Sequence, residues 1–528
     1  MVWEKVPDSE KQNGPVMGRR TRAAVPLGIT LDGSGPDALY QQIRDQIRSA
    51  ILQGRLACGA RLPSSRLMAA ELGCSRGTVM AALDQLVAEG YLVARAASGL
   101  SVAQDLPDEM LAPMPVNAPP AAMGPSPPML PDRTMAMLGP ATDLDMPGFG
   151  VQPVAFPIGQ PDRDSFPFPL WAKFLERDWR RPAWDRAGAC HPFGHPGLRQ
   201  AIASYLGTAR GFGCEPDAIV ITSGVRHSVS LFARIALAAG DRVWIEEPGY
   251  PGIAEALLAA AVQPVAVRVD ESGFALEAAL AAAPDARLAI VTPSHHFPFG
   301  MVQGLPRRLA LLAWAQRMRG WIIEDDFDGE YRYTGRPLAP LRALDRAGRV
   351  AYLGSFSKLL FPALRLSYIV LPTSLIPVAE TVMSRISTPA PLLGQGALAR
   401  FIAEGHLISH LRRTRLLYAG RQQALMEAVD RHLAGLMTVI PDSGGMHVVV
   451  RPASDLAPVF DDGIGMVAAA TAGVRVSPLS RCYRGADRQH GFLLGYAGTP
   501  DHEIDPAVRV LARVLEHLMP RAGAAGQD

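Results

Sequence analysis

From Ala38 to Val102 the apolar positions recur at helical spacing and then alternate. In "ALYQQIRDQIRSAILQGRL" Ile43, Ile47 and Ile51 are four apart, which predicts one buried helix face, closed near Gly54. Ser64 or Ser65 can accept the free N–H groups of a short helix that ends at Gly73. Ser75 can do the same for the next helix, whose apolar face is Val79, Leu83, Leu86 and Val87 and which Gly90 stops. "YLVA" and "GLSVA", separated by small residues, predict a β-hairpin. Two short helices joined by a tight turn and followed by a hairpin make a winged helix-turn-helix. Beyond Val154 the pattern changes. Short apolar runs, "AIVIT", "DRVWIEE", "RLAIVTP" and "WIIEDD", alternate with helical segments, which predicts an α/β domain with a mostly parallel sheet.

Between these regions, from Asp105 to Pro153, lie twelve prolines. Proline lacks the N–H and fixes φ, so this stretch is expected to be an extended linker. The expected organisation is a disordered tail over 1–35 and a winged helix over 36–103. The linker over 104–153, the α/β domain over 154–520 and a flexible tail over 521–528 complete it. A chain of 528 residues with 48% hydrophobic and 19% charged residues is long and apolar enough for more than one buried core. The net charge of +2 selects no class of partner. The five cysteines, at 58, 74, 190, 214 and 482, show no metal-ligand or CxxC spacing, so they are read as reduced and structural and no metal is expected. The N-terminus has no apolar signal core and no run spans a bilayer, which makes a cytoplasmic location the expectation.

The second helix of the small module is the one expected in the major groove. Ser64, Ser65 and Ser75 open helix N-termini, whose free N–H groups favour phosphate. Arg66 and Arg76 follow the caps and can pair with the DNA backbone, Thr78 can reach base edges, and Gly99 lets the wing tip approach. The alternative is a helical packing module with incidental surface arginines, since seven arginines face six acids between Leu31 and Ala103. The stretches "GARLPSSR", "AAELGCSRGTV" and "LVAEGYL" resemble the GntR-type winged helix over the whole module. That resemblance implies binding to a double-stranded DNA operator.

Only four lysines occur in the chain, Lys5, Lys11, Lys173 and Lys358, against a heavy use of arginine. Lysine can act as an amine nucleophile when its pKa is lowered; arginine stays protonated. Lys358 lies in "GSFSKLLFPALRLSY" with Ser355, Ser357 and Arg365, a set suited to an aldehyde on the amine and a phosphate on the hydroxyls and guanidinium. Pyridoxal 5′-phosphate fits that chemistry; an ordinary surface lysine is the alternative. Other stretches bear on the choice. "IVITSGVRHSV" offers Ser223 and Gly224 at a strand-to-helix turn. "WIIEDDFDGEY" offers carboxylates, best Asp325, to a pyridine nitrogen. "EEPGYPG" offers Tyr250 for stacking on a ring. Each has a plain reading: a turn, a solvated acidic cluster, a loop aromatic. All of them at strand C-terminal ends suit an α/β ligand site.

With "HPFGHPGLRQAIASYL" and "TPSHHFPFG", these stretches resemble a fold-type-I aminotransferase domain over about Val154 to Met519. A GntR-type winged helix, a proline-rich linker and such a domain together resemble the MocR/GabR family of transcriptional regulators. The resemblance implies that Lys358 carries the cofactor aldehyde as a Schiff base and Asp325 pairs with the pyridine nitrogen. It also implies phosphate binding by Arg365, Ser355 and the Ser223–Gly224 turn, and stacking by Tyr250. It further implies a small amine or amino-acid effector and a head-to-tail homodimer. The chain departs from the family pattern at Phe327, where a tyrosine is usual. It departs again at Arg226 and His227 in place of glutamines, and at His296 and Phe299. "GFLLGYA" lacks the arginine that aminotransferases use there for a substrate carboxylate; Arg475 and Arg481 are the candidate substitutes. The leading expectation is therefore a regulator that senses an amine at Lys358. A working aminotransferase with an autoregulatory head, or a sensor of pyridoxal phosphate itself, are the alternatives.

Overall fold

The computed structural model describes residues 28–32, 37–95, 99–104, 106, 134–135, 155–180, 191–335, 339–386 and 389–518. The expected N-terminal tail and linker fall almost wholly, and the C-terminal tail wholly, outside these residues. The chain divides into two compact units, Met1–Pro128 and Met129–Asp528.

In the first unit, α1 (Leu39–Leu52) buries Ile43, Ile47 and Ile51, the face that the four-residue spacing predicts. Helix α2 (Ser65–Leu72) begins where Ser64 Oγ accepts the Leu67 N–H at 3.3 Å and ends at Gly73, whose φ of +64° is left-handed. Helix α3 (Arg76–Ala88) begins where Ser75 Oγ accepts the Thr78 N–H at 3.1 Å. Its buried face is Val79, Ala82, Leu83 and Leu86. Val87, expected in that face, is only half-buried, because the small Ala82 lies nearer the centre of the stripe. Strands β1 (Leu92–Arg95) and β2 (Gly99–Val102) pair antiparallel, Leu92 against Val102 and Arg95 against Gly99. The segment before α2 adds to the hairpin through the Leu62 N–H, which donates to Leu100 O at 2.9 Å. Helices and hairpin close over one apolar core that includes Ile47, Met68, Leu83, Leu86 and Leu92.

The second unit is built on an eight-stranded sheet. Its strands are β3 (Ile219–Thr222), β4 (Arg242–Glu247), β5 (Gln263–Asp270), β6 (Gly273–Phe274), β7 (Leu288–Val291), β8 (Trp321–Asp326), β9 (Val350–Ser355) and β10 (Ser367–Val370). They lie in the order β3-β10-β9-β8-β7-β4-β5-β6, and β10 and β6 run against the rest. Strands β3, β7, β9 and β10 are buried at every position, which suits their largely apolar text. One face packs Val220, Ile245, Ile290 and Leu353 against the helices Val225–Ala236 and Pro251–Ala259. The other packs Trp244, Ala289 and Ile322 against Leu311 and Trp314 of the helix Leu305–Met318.

A smaller antiparallel sheet follows: β11 (Met437–Ile440), β12 (His447–Pro452), β13 (Ser477–Pro478) and β14 (Phe492–Gly495), in the order β11-β12-β14-β13. The segment from Ala155 is tied to it: the Phe156 N–H donates to Thr499 Oγ1 at 2.9 Å, and the Gly495 N–H to Phe156 O at 3.1 Å. This brings Ile158 and Gly159 to the crevice at the C-terminal ends of the large sheet.

Candidate cofactor and DNA sites

Lys358 stands three residues past the end of β9. Its Nζ lies 4.4 Å from the ring centre of Phe327 and 5.7 Å from that of Tyr250. The cavity around it is lined by Ile158, Gly159, Tyr250, Phe297, Phe327, Asp328, Met446 and His447. A Cβ on Gly159 would sit 3.7 Å from Lys358 Cε, so the backbone there passes close to the lysine stem. Lys173, by contrast, is exposed on the helix Phe168–Arg180.

Strand alternation sorts the acids of "WIIEDD". Glu324 accepts the N–H groups of Leu341 and Arg342 at 2.8 and 2.9 Å. Asp326, on the same side of the strand, is held by Arg210 and the Tyr352 hydroxyl. Asp325 points the other way and is buried, with Oδ1 lacking any protein partner. Burial pushes its carboxyl up to about 7; Lys358 pulls it back and Asp328 adds to the rise. An open, buried acceptor beside the lysine is what a protonated ring nitrogen requires, so the residues present fit pyridoxal phosphate.

The hydroxyl and guanidinium set is assembled by the antiparallel strand β10. Ser367 pairs with Thr222 on one side and with Ser355 on the other. Arg365, two residues before Ser367, is thereby brought to the Ser223–Gly224 turn that follows Thr222. A Cβ on Gly224, at φ +135°, would lie 3.8 Å from Arg365 Nη2. Arg365 is exposed and holds a left-handed φ of +48°. Ser355 Oγ accepts from Ser367 Oγ at 3.1 Å. Ser357 is half-buried and outside the residues that line the lysine cavity. His227 explains one departure from the family text: its Nδ1 accepts the Ser223 N–H at 3.1 Å and lies 2.9 Å from Ser223 Oγ. Burial keeps its pKa below the ordinary histidine value.

Sequence reasoning missed the polar cluster behind Phe327. His295 Nδ1 is 3.0 Å from Asp328 Oδ1, and Nε2 is 2.9 Å from Asp442 Oδ1. Burial opposes a charge on His295, but the two carboxylates outweigh it and hold the ring protonated. The neighbouring His296 goes the other way, pushed down to about 3 by burial. Asp328 stood one residue past Phe327 in a stretch already singled out. Asp442 had no local signal, since it is 147 residues from His295. Arg475 and Arg481, the expected substitutes for a carboxylate-binding arginine, do not line the lysine cavity. Arg481 sits in the turn Leu479–Cys482, whose buried residues are Leu479 and Cys482, and it faces a separate cavity beside Glu246 and Thr292.

In the first unit Ser64 and Ser75 are caps, and Arg66 and Arg76 are exposed. Arg76 Nε donates to Ser65 Oγ at 3.3 Å, which joins the starts of α2 and α3. Thr78 Oγ1 is 2.8 Å from Ser75 Oγ, so its hydroxyl is already part of the cap. Gly99 has φ +85°, and the guanidinium of Arg61 lies 3.8 Å from where its Cβ would be. Arg61 is exposed beside the wing; its text gave no cap or helix signal and it was not singled out.

A winged helix and an aminotransferase-type crevice with a lysine in it define a DNA-binding regulator with a cofactor-type effector domain. Residues 39–102 match the family described as bacterial regulatory proteins, gntR family, and residues 154–511 match aminotransferase class I and II. The chain belongs to the MocR-type family of transcriptional regulators, and pyridoxal 5′-phosphate is the cofactor of its larger domain. It is 39% identical to the probable rhizopine catabolism regulatory protein MocR of Rhizobium meliloti, over 90% of this chain and 93% of that one. It is 32% identical to the pyridoxine biosynthesis transcriptional regulator PdxR of Corynebacterium glutamicum, over 93% and 98%. Among solved structures it resembles the kynurenine aminotransferase of Pyrococcus horikoshii, solved with PMP (TM-score 0.61, 26% identity, 68% of this chain and 89% of that one). It also resembles LysN, the α-aminoadipate aminotransferase of Thermus thermophilus, with a TM-score of 0.61, 25% identity, and 68% and 91% coverage. Among the described residues no helix is long and apolar enough to cross a membrane.

Proposed function

We propose that the chain regulates transcription by sensing a small primary amine at Lys358. The observation that carries this reading is Asp325, a buried carboxylate with an open oxygen that lies within the electrostatic reach of Lys358. Bound pyridoxal phosphate supplies an aldehyde carbon open to amines and a ring that withdraws electrons. Lys358 Nζ would be the protein amine that holds the cofactor through that aldehyde, the position for which an effector amine would compete. Asp325 would accept a hydrogen bond from the protonated ring nitrogen. Ser223, Gly224, Ser355, Ser357 and Arg365 hold the phosphate, and Tyr250 flanks the ring. Phe327 brings no hydroxyl to the site, so the ring oxygen loses a donor and the site is tuned away from rapid turnover. A sensor needs only a difference in affinity between two states.

On the DNA side, Arg66, Arg76 and Arg61 meet backbone phosphates while Ser64, Ser65 and Ser75 present capped helix ends. Thr78 faces bases and Gly99 shapes the wing. A head-to-tail homodimer would set two such heads on two half-sites.

Borohydride reduction of the cofactor-loaded chain, followed by peptide mapping, tests the site. The adduct is expected on Lys358, and an adduct on Lys173 overturns the assignment. An amine that changes both the absorption spectrum and DNA affinity, with little keto product, supports sensing. Many turnovers per site would instead make the protein an aminotransferase.

A further inference from the structure

The wall of the cavity opposite Lys358 is apolar on one side and anionic on the other. Strand β14 turns Leu493 into a cluster with Phe297, Phe327 and Leu479, while Leu494 faces the main core of the unit. A carboxylate held at this strand would need a cation, and the strand supplies a leucine. Among the described residues, Lys358 is the one cationic side chain lining the cavity. His447, the other basic residue there, lies with Nε2 3.0 Å from Pro298 O, and burial lowers its pKa. The anionic part is Asp328. It is 2% exposed, its Oδ1 is taken by His295, and its Oδ2 has no protein partner. His295 is shared with Asp442, so one imidazole serves two carboxylates. An open, buried carboxylate oxygen is costly until a donor reaches it.

We propose that this pocket selects a primary amine that carries no carboxylate and that offers a hydroxyl or second amino group to Asp328. A ligand carboxylate would be placed among Phe297, Phe327 and Met446, or against Asp328 itself, and either position leaves a buried charge unpaired. A distal hydroxyl or ammonium group satisfies Asp328 Oδ2, and an aliphatic body fits against Phe297, Phe327 and Met446, with Leu493 packed in the same cluster as the two phenylalanines.

The inference rests on the regulator reading above, and the test separates the two. The full-length protein loaded with pyridoxal phosphate is titrated with pentylamine, 5-amino-1-pentanol, 1,5-diaminopentane and 5-aminopentanoate. Absorbance and DNA affinity are both followed. The amino alcohol or the diamine is expected to bind at least about tenfold more tightly than the amino acid, about 1.4 kcal/mol. In Asp328→Asn the advantage of the amino alcohol over pentylamine should shrink, and Leu493→Arg should move preference toward 5-aminopentanoate. The proposal is overturned if the wild-type protein binds 5-aminopentanoate as tightly as the other amines, or if a protein that shows the cofactor band responds to none of the four. A protein with no cofactor band and no borohydride adduct would instead sink the regulator reading, and this proposal with it.

Discussion

Replacing Asp325 by asparagine gives a stability difference that depends on pH and that the cofactor offsets. Without cofactor, the carboxyl is buried with one oxygen unpaired and titrates at about 7, against 3.8 in the unfolded chain. Between those values the folded state holds a proton that the unfolded state has lost. Stability therefore falls as pH rises through that window, by about 1.4 kcal/mol per pH unit. From pH 5 to pH 8 the loss from this group is about 3 kcal/mol, most of it in the two units below 7. Asparagine has the same shape and no charge, so the cofactor-free variant should match wild type near pH 5 and exceed it near pH 8. Lys358 works against the effect, while Asp328 adds to it. Glu246, itself raised to about 8 by burial and by Asp325, shifts both proteins in the same direction. Loaded with pyridoxal phosphate the advantage of the variant at pH 8 should shrink or vanish, because the variant cannot pair a carboxylate with the ring nitrogen, an interaction worth about 1.5–3 kcal/mol. Thermal unfolding of both full-length proteins at pH 5 and 8, with and without cofactor, measures all four terms. A stability difference independent of pH in the cofactor-free proteins would refute the placement of Asp325 as a buried, unpaired acid.

Three further outcomes are expected. Arg76→Ala and Arg66→Ala should each weaken binding to specific and unrelated DNA alike, and lower the slope of affinity against salt by about one unit or less; unchanged salt dependence in a filter or polarisation assay would remove them from the phosphate contacts. Ser64→Ala removes the acceptor for the Leu67 N–H and should cost the winged helix about 1 kcal/mol, read from its unfolding transition. His295→Leu leaves Asp328 and Asp442 buried without their cation and should destabilise the larger unit by about 3–5 kcal/mol in denaturant unfolding.

The sequence by itself determined the features whose causes are local. The spacing of Ile43, Ile47 and Ile51, the serines at the starts of α2 and α3 and the glycine after α2 act within a turn or two of chain, so they could be read in order. Lys358 stood out because its chemistry differs from that of the arginines around it. The apolar runs of β3, β4, β7 and β8, alternating with helical segments, announced an α/β domain with a mostly parallel sheet. Tertiary structure decided what depends on register and on distant partners. Asp325 is set apart from Asp326 by the face of β8 on which each falls and by the presence of Arg210 and Tyr352 on only one of them. Arg365 reaches Gly224 because β10 lies between β3 and β9, an order no local pattern encodes. The bridge from Asp328 through His295 to Asp442, and the packing of Leu493 with Phe297 and Phe327, arise where the smaller sheet meets the larger one. Hydrophobic periodicity says which side of an element is buried; it carries no information about which other buried side will face it.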